Sequence, residues 1–66
     1  MRMNLKVLRV KNHLTQEQMA DEIGVGRQTY AAVEQGKQRG GEYFWETVQS
    51  RFEVPDSEMW ELMRNE

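Results

Sequence analysis

The chain has 66 residues and a formal net charge of −2, with 38% hydrophobic residues and no cysteine. This length predicts one small domain over residues 1–66, and the apolar content is sufficient for a packed core. The lack of cysteine excludes disulfides and thiolate metal sites, and no apolar run is long enough to predict a membrane span.

The charges are divided unevenly along the chain. Residues 1–39 hold seven Lys and Arg against four Asp and Glu, a balance of +3. Residues 40–66 hold two against seven, a balance of −5. Nucleic-acid-binding proteins usually carry a basic footprint. Such a surface is therefore expected in the first part, where it would neutralise only a few phosphates.

The first predicted helix covers residues 4–12, with Asn4 as its cap and with Leu5 and Leu8 facing the core. His13 follows in the connection to the next helix. Because no second His, no Cys and no paired carboxylate stands at ligand spacing, we expect His13 to be a solvated linker residue.

Clear start and stop signals bound the second predicted helix. Thr15 is a good N-cap, and Gln18 three residues later completes a capping box. Gly24 ends the helix, because glycine adopts the left-handed cap conformation without steric cost. The apolar face has helical spacing and consists of Met19, Ala20 and Ile23.

The third predicted helix follows a tight turn and covers residues 27–35. Gly26 is its expected N-cap and Gly36 its expected C-terminal cap. Tyr30 and Val33 are expected to point inwards. The opposite face of this helix carries Arg27, Gln28, Ala31, Ala32 and Gln35.

The outward face of the third helix offers groups that can read base pairs. Arginine donates bidentately to guanine, glutamine bonds bidentately to adenine, and alanine can touch a thymine methyl group. Arg27 and Gln28 lie in the first turn, which reaches base edges in helix-turn-helix proteins. From the side-chain chemistry alone, an ordinary solvated face of the third helix is the better interpretation. The turn spacing and the family resemblance given below favour a face that contacts DNA bases.

A basic loop with two adjacent glycines, residues 36–41, comes next and is expected to be flexible. Lys37 and Arg39 in this loop are either part of a solvated connector or contacts to the phosphate backbone of DNA. The fourth predicted helix covers residues 42–52. Its aromatic and apolar stripe is expected to pack in the core rather than to stack on bases: Phe44, Trp45, Val48 and Phe52.

The last predicted helix is capped by Asp56 or Ser57 and ends at about Met63, after a break at Pro55. It carries more apolar residues than one short helix usually buries. Part of this apolar group is therefore a candidate surface for a dimer. The group consists of Met59, Trp60, Leu62 and Met63.

No set of residues suited to catalysis is recognisable in the sequence. With one His and no Cys, the chain has few residues that could act as a nucleophile or as the base that activates one. The paired glycines lack the Lys-Ser/Thr step of a phosphate-binding loop. We therefore expect no enzymatic activity, no metal site, no cofactor, no small-molecule ligand and no association with a membrane.

The stretch LKVLRVKNHLTQEQMADEIGVGRQTYAAVEQGK resembles the helix-turn-helix domain of the Cro/C1 repressor family, also called the XRE family. The matching features are Leu5-x-x-Leu8-Arg9, Leu14-Thr15-Gln16, Met19-Ala20, Ile23-Gly24-Val25 and Val33-Glu34-x-Gly36-Lys37. The resemblance implies an all-α fold, a compact, lambda-repressor-like bundle of about five short helices with the helix-turn-helix at helices 2 and 3. It also implies binding of double-stranded operator DNA, commonly as a homodimer, and regulation of transcription.

The same resemblance implies roles for individual residues. Contacts to base edges are implied for Arg27, Gln28, Ala31 and Ala32. Contacts to the DNA backbone are implied for Gln16, Thr29, Gln35, Lys37 and Arg39, and Gln16 is also expected to brace Gln28. Arg9 and Glu34 match a structural ion pair that ties the first helix to the end of the recognition helix.

Several positions depart from the family pattern. Gly26 replaces the usual Ser or Thr cap, and Tyr30 replaces a smaller aliphatic residue. Arg39-Gly40-Gly41 stands where an Asn-Pro segment is common. Because the positions of Ala31 and Ala32 often hold larger polar readers, we expect specificity to rely in part on DNA shape.

Two interpretations of function stay open at this point. The first is a sequence-specific transcription regulator, a repressor of the phage, plasmid or small bacterial type, acting in the cytoplasm on the nucleoid. The second is a protein-interaction module with the same fold, similar to an antitoxin or an antirepressor. The turn spacing and the family resemblance favour the first interpretation, whereas the acidic second part of the chain and the apolar residues of the last helix favour the second.

Overall fold

Five α-helices follow one another along the chain, and no strand forms in a computed structural model that describes residues 1–66. The helices are α1 (Met3–Lys11), α2 (Gln16–Ile23), α3 (Arg27–Glu34), α4 (Gly41–Phe52) and α5 (Asp56–Met63). The Cα radius of gyration is 10.3 Å, close to the value of about 11 Å for a folded chain of this length. The expected all-α bundle of five short helices is confirmed.

The start of α1 differs from the expectation, because Asn4 is not its cap. Arg2 holds the cap position without a side-chain cap bond. The Arg2 carbonyl oxygen accepts a hydrogen bond from the Lys6 amide at 3.2 Å, and this bond extends the helix one residue further back, to Met3. The side chain of Asn4 instead donates to the carbonyl oxygen of Glu61 in α5 at 3.3 Å.

Smaller differences occur at other helix ends. α1 ends at Lys11, α3 ends at Glu34 with Gln35 as its cap residue, and α4 begins at Gly41. Each of these ends lies within one residue of the expected position. His13 is exposed in the α1–α2 connection, as expected for a linker residue.

Both ends of α2 are capped as the sequence predicts. Thr15 Oγ1 accepts a hydrogen bond from the Gln18 amide at 3.1 Å, and the Thr15 amide donates to Gln18 Oε1 at 2.9 Å. Gly24 adopts a left-handed conformation with φ +87°. Tyr43 of α4 adds a bond that sequence reasoning missed, since its hydroxyl donates to the Ile23 carbonyl at 3.0 Å. This donor satisfies one of the free carbonyl groups at the end of α2.

The core lies between all five helices and holds α3 from behind. The aromatic ring centroids of Tyr30 and Phe44 are 6.0 Å apart, and those of Phe44 and Trp45 are 4.8 Å apart in an edge-on arrangement. Such pairs stabilise a core beyond simple area burial. The buried apolar residues are Leu5, Met19, Ala20, Ile23, Tyr30, Val33, Phe44, Trp45, Val48 and Leu62.

Not all of the apolar residues of α5 enter this core. Leu62 is buried and Met59 is half-buried, whereas Trp60 is 59% exposed and Met63 is 44% exposed. Phe52, expected in the core with the other aromatic residues of α4, is only half-buried. None of the five helices has the length and apolar character needed to cross a membrane.

Replacement of Gly24 by alanine is expected to destabilise the fold. The added Cβ would adopt a left-handed backbone conformation, which costs an alanine about 1–2 kcal/mol. It would also lie 2.8 Å from Tyr43 Oη. We expect Gly24→Ala to lower the free energy of unfolding by about 1–2 kcal/mol in a urea denaturation experiment.

The matched control is Gly26→Ala. Gly26 has φ −70°, and an added Cβ would meet only Thr29 Oγ1, at 4.0 Å. We expect its free energy of unfolding to change by no more than about 0.5 kcal/mol. Equal losses in the two variants would mean that the backbone conformation of Gly24 does not govern the cost.

Candidate nucleic-acid interface

The turn between α2 and α3 presents α3 on the surface of the bundle. The amides of Gly24 and Val25 both donate to the Ala20 carbonyl oxygen, at 2.8 and 3.0 Å, and close the end of α2. Gly26 then begins α3 in an extended conformation, and its carbonyl oxygen accepts a hydrogen bond from the Tyr30 amide at 2.9 Å. Gly26 provides no side-chain cap bond, so the first amides of α3 have no partner from that side chain.

The two faces of α3 differ as the sequence predicts. Tyr30, Val33 and Glu34 are buried, with at most 1% exposure. Arg27, Gln28 and Thr29 are exposed in the first turn. Ala31 and Ala32 are half-buried, and Gln35, Lys37 and Arg39 are exposed beyond them. The side chains of α3 that are predicted to meet DNA are thus exposed or half-buried, on the face opposite Tyr30 and Val33.

The free cations of this region are Arg27, Lys37 and Arg39. None of them takes part in the ion pairs of the structure, which are formed by Arg9, Arg51 and Arg64. An unpaired surface cation keeps its full charge for an anionic partner. The region thus combines exposed hydrogen-bonding groups with positive charge, although the whole chain carries a net charge of −2.

A shallow polar cleft connects the start of α2 with the start of α3. It has a volume of about 500 Å³, and no hydrophobic residue lines it. The lining residues are Arg9, Thr15, Gln16, Glu17 and Arg27. The cleft brings Gln16, expected to contact phosphate, to the same surface as Arg27, expected to contact a base.

A buried carboxylate lies beneath this cleft. Glu34 is 1% exposed, and its carboxylate oxygens accept hydrogen bonds from Arg9 Nε at 2.9 Å and Arg9 Nη2 at 3.2 Å. Gln16 Nε2 donates to it at 3.3 Å, and the Tyr30 hydroxyl donates from the preceding turn of α3. Arg9 also donates through Nη1 to the Leu14 carbonyl oxygen at 2.9 Å. The structure thus contains the Arg9–Glu34 ion pair that the family resemblance implied.

These bonds control the protonation of the group. Burial by itself raises the pKa of the Glu34 carboxyl, but the hydrogen bonds from Arg9, Tyr30 and Gln16 outweigh it, and the net pKa is lowered from 4.5. Burial, together with the Glu34 carboxylate, raises the pKa of the Tyr30 hydroxyl. Tyr30 therefore stays a neutral hydrogen-bond donor and Glu34 an anion at neutral pH.

Gln16 has a different partner from the one expected. Its side-chain amide nitrogen donates to Glu34, the last residue of α3, and not to the side chain of Gln28. A side-chain amide carries two N–H donors and a carbonyl oxygen. Gln16 therefore still has groups available for a phosphate after this bond, and it is half-buried rather than enclosed.

The loop after α3 is held more firmly than its glycines suggest. The amides of Gly36 and Lys37 close α3 by donating to the Val33 and Ala32 carbonyl oxygens, at 3.1 and 2.8 Å, in a Schellman motif with Gly36 at φ +84°. Trp45 Nε1 donates to the Arg39 carbonyl oxygen at 2.8 Å. The expectation of a flexible loop overlooked such side-chain bonds, because their donors lie elsewhere in the chain.

Comparison with known proteins agrees with this architecture. A family model described as helix-turn-helix matches residues 5–39, just over half of the chain. An uncharacterized HTH-type transcriptional regulator from Methanocaldococcus jannaschii is 49% identical over 37 residues, which are 56% of this chain and 56% of that protein. The chain thus aligns with little more than half the length of this relative. No solved structure matches the chain.

Replacement of Glu34 by glutamine is expected to destabilise the protein and to change its response to acid. The variant leaves the Arg9 guanidinium without its anion, and we expect a loss of about 3 kcal/mol in the free energy of unfolding, the lower limit for breaking a buried pair. The lower limit applies because Arg9 keeps 12% exposure. Urea denaturation at neutral pH measures this loss.

The pH dependence has a defined sign. Because the pKa of Glu34 is lower in the folded state than its ordinary value of 4.5, its stabilising contribution is complete above that pH. The contribution is lost as the pH falls through the folded-state pKa. Glu34→Gln should lack this part of the decline, whereas the control Glu46→Gln, at an exposed position of α4, should keep it. A wild-type decline retained in Glu34→Gln would contradict the assignment.

Proposed function

The chain belongs to the helix-turn-helix family of the Cro/C1 type, and we propose that it is a sequence-specific transcription regulator that binds double-stranded DNA. The observation that carries the proposal is the exposed first turn of α3, where Arg27 takes part in no ion pair and Gln28 is exposed beside it. The similarity to the uncharacterized HTH-type transcriptional regulator from M. jannaschii supports it. In this proposal the protein binds DNA of the nucleoid in the cytoplasm, and it needs neither catalysis nor a cofactor.

The dimensions of α3 suit the major groove. An α-helix with its side chains is about 10–12 Å in diameter, and the groove is about 12 Å wide. Arg27 would donate to a guanine edge and Gln28 would bond an adenine edge. Ala31 and Ala32 would let the helix approach closely and would contact thymine methyl groups, with DNA shape supplying further selectivity.

Contacts to the DNA backbone would fix the position of α3. Thr29, Gln35, Lys37 and Arg39 are exposed, and Gln16 lines the cleft that Arg27 also lines. Phosphate contacts set the register without reading the sequence. Because few cations are involved, we expect a modest affinity for arbitrary DNA and a shallow dependence on salt.

We further propose that the regulator is a repressor of the phage, plasmid or small bacterial type and acts as a homodimer. A protein seated in the groove of an operator blocks access of other proteins to the same base pairs. The exposed apolar residues of α5, Trp60 and Met63, would pack against a second copy. A two-fold dimer would read two half-sites spaced by about 34 Å along the duplex.

A second candidate function rests on exposed apolar residues that a DNA-binding monomer does not need. Met3, Val7 and Val10 of α1 are 45–53% exposed, and Trp60 of α5 is 59% exposed. A protein-interaction module, similar to an antitoxin or an antirepressor, would use such a surface. Selection of bound duplexes from a random DNA pool, with mass measurement of the free protein, separates the candidates. A stable hetero-complex together with no affinity for any duplex would favour the second.

Arg27→Ala is expected to weaken operator binding by about 1–3 kcal/mol and to relax base preference at one position, because one bidentate contact is lost. Repeated selection from a random duplex pool measures the preference, and titration of the selected duplex measures the affinity. The control is Arg51→Ala, which removes an exposed arginine of α4 outside the proposed interface. Unchanged base preference in Arg27→Ala would refute the base-reading role.

Lys37→Ala should act differently, because a phosphate contact carries no sequence information. We expect binding to weaken equally for the selected operator and for arbitrary duplexes. The slope of log K against log salt should become shallower by about 1. A loss confined to the selected operator would instead place Lys37 at a base.

A further inference from the structure

Arg2 is a buried cation that has no carboxylate partner. It is 7% exposed, and it is absent from the three ion pairs of the structure. Its guanidinium donates only to backbone carbonyl oxygens: Nε to Met63 at 3.0 Å, and Nη1 to Val33 at 2.6 Å and to Gln38 at 2.7 Å. A buried charge without such partners would be costly, so these bonds are a requirement of the fold.

The partners of Arg2 supply negative potential without a formal negative charge. Val33 lies in the last turn of α3, and Met63 is the last residue of α5. The carbonyl groups at the C-terminal end of a helix carry the negative end of its dipole. The face of the Trp45 ring adds a further attraction, with its centroid 5.6 Å from the guanidinium carbon. Two helix ends and one aromatic ring thus stabilise the cation.

The third acceptor ties Arg2 to the loop that follows α3. Gln38 stands between Lys37 and Arg39, the two cations expected to meet phosphates. Nη1 bridges the Val33 and Gln38 carbonyl oxygens, so it fastens the loop directly to the end of α3. Trp45 Nε1 holds the next carbonyl oxygen, that of Arg39, from below at 2.8 Å. With these inner contacts made, the side chains of Lys37 and Arg39 are exposed.

We propose that Arg2 is a positioning residue for DNA binding, whose guanidinium fixes the 36–40 loop at the end of α3 so that Lys37 and Arg39 meet phosphates while α3 lies in the groove. The inference rests on the proposed function of α3. The planar guanidinium, with N–H groups in several fixed directions, matches the three acceptors on three segments. A lysine has the same charge but lacks this geometry.

The test compares Arg2→Lys with the wild type on a short duplex of arbitrary sequence over a range of salt concentrations. The net charge of the protein does not change, so a difference in affinity cannot come from long-range electrostatics. We expect roughly tenfold weaker binding at low salt and a salt slope shallower by about 1 to 2. Arg51→Lys makes the same change at an exposed arginine of α4 and should bind like the wild type.

A combined variant separates positioning from general destabilisation. In the Lys37→Ala/Arg39→Ala background the phosphate contacts are already gone, so adding Arg2→Lys should cause no further loss of affinity. Affinities are corrected for the folded fraction, measured by circular dichroism at the same temperature. An additive loss in this background would overturn the inference, because Arg2 would then act through something other than the loop cations.

Trp45→Phe provides a second route if Arg2→Lys does not fold. It removes the Nε1 donor to Arg39 but keeps an aromatic ring near the guanidinium, and it should also weaken binding with a shallower salt slope. If Arg2→Lys folds and binds with wild-type affinity, the positioning role is overturned and the proposed function stays intact. If Arg2→Lys does not fold, wild-type affinity in Trp45→Phe has the same meaning. Failure of the wild type to bind any duplex would instead remove both.

Discussion

The buried carboxylate of Glu34 forms the interactions on which the placement of α3 depends. It joins α1 through Arg9, α2 through Gln16 and its own helix through Tyr30, so three helices meet at one anion. Removing a carboxylate from water is costly unless several donors replace its hydration. The three side chains provide those donors together, and each helix is therefore held at a defined distance from the other two.

This anchoring lets α3 keep two unlike faces. Its inner face belongs to the core and to the Glu34 network, and its outer face contributes little to stability. The outer side chains can therefore be chosen for their chemistry towards a ligand rather than for packing. The same division explains how a chain with a net charge of −2 can present a basic surface: Arg27, Lys37 and Arg39 take part in no ion pair, and most of the acidic residues lie in α4, α5 and the segments that flank them.

Local signals in the sequence were sufficient for most of the fold. The capping box at Thr15 and the glycine at position 24 involve bonds between near neighbours, and the structure contains both. The Arg9–Glu34 pair spans 25 positions, and only the family resemblance made it predictable. The bonds of Arg2 and Tyr43 to distant carbonyl oxygens could not be predicted. Every residue has a backbone carbonyl group, so the sequence does not indicate which of them accepts such a bond. The start of α1 was predicted wrongly for this reason, since Asn4 donates to the distant Glu61 carbonyl oxygen instead of capping the helix.

The bond between Arg2 and the Met63 carbonyl joins positions separated by 61 residues. Closing so long a loop costs more chain entropy than forming the local turns of α2 and α3, so we expect this contact to form after them. During translation, residue 63 leaves the ribosome long after the helix-turn-helix has emerged. The bonds of Arg2 Nη1 to Val33 and Gln38 do not involve α5, so a nascent chain would hold the 36–40 loop against α3 first, and only the tie between the two ends of the chain would wait for the synthesis of α5.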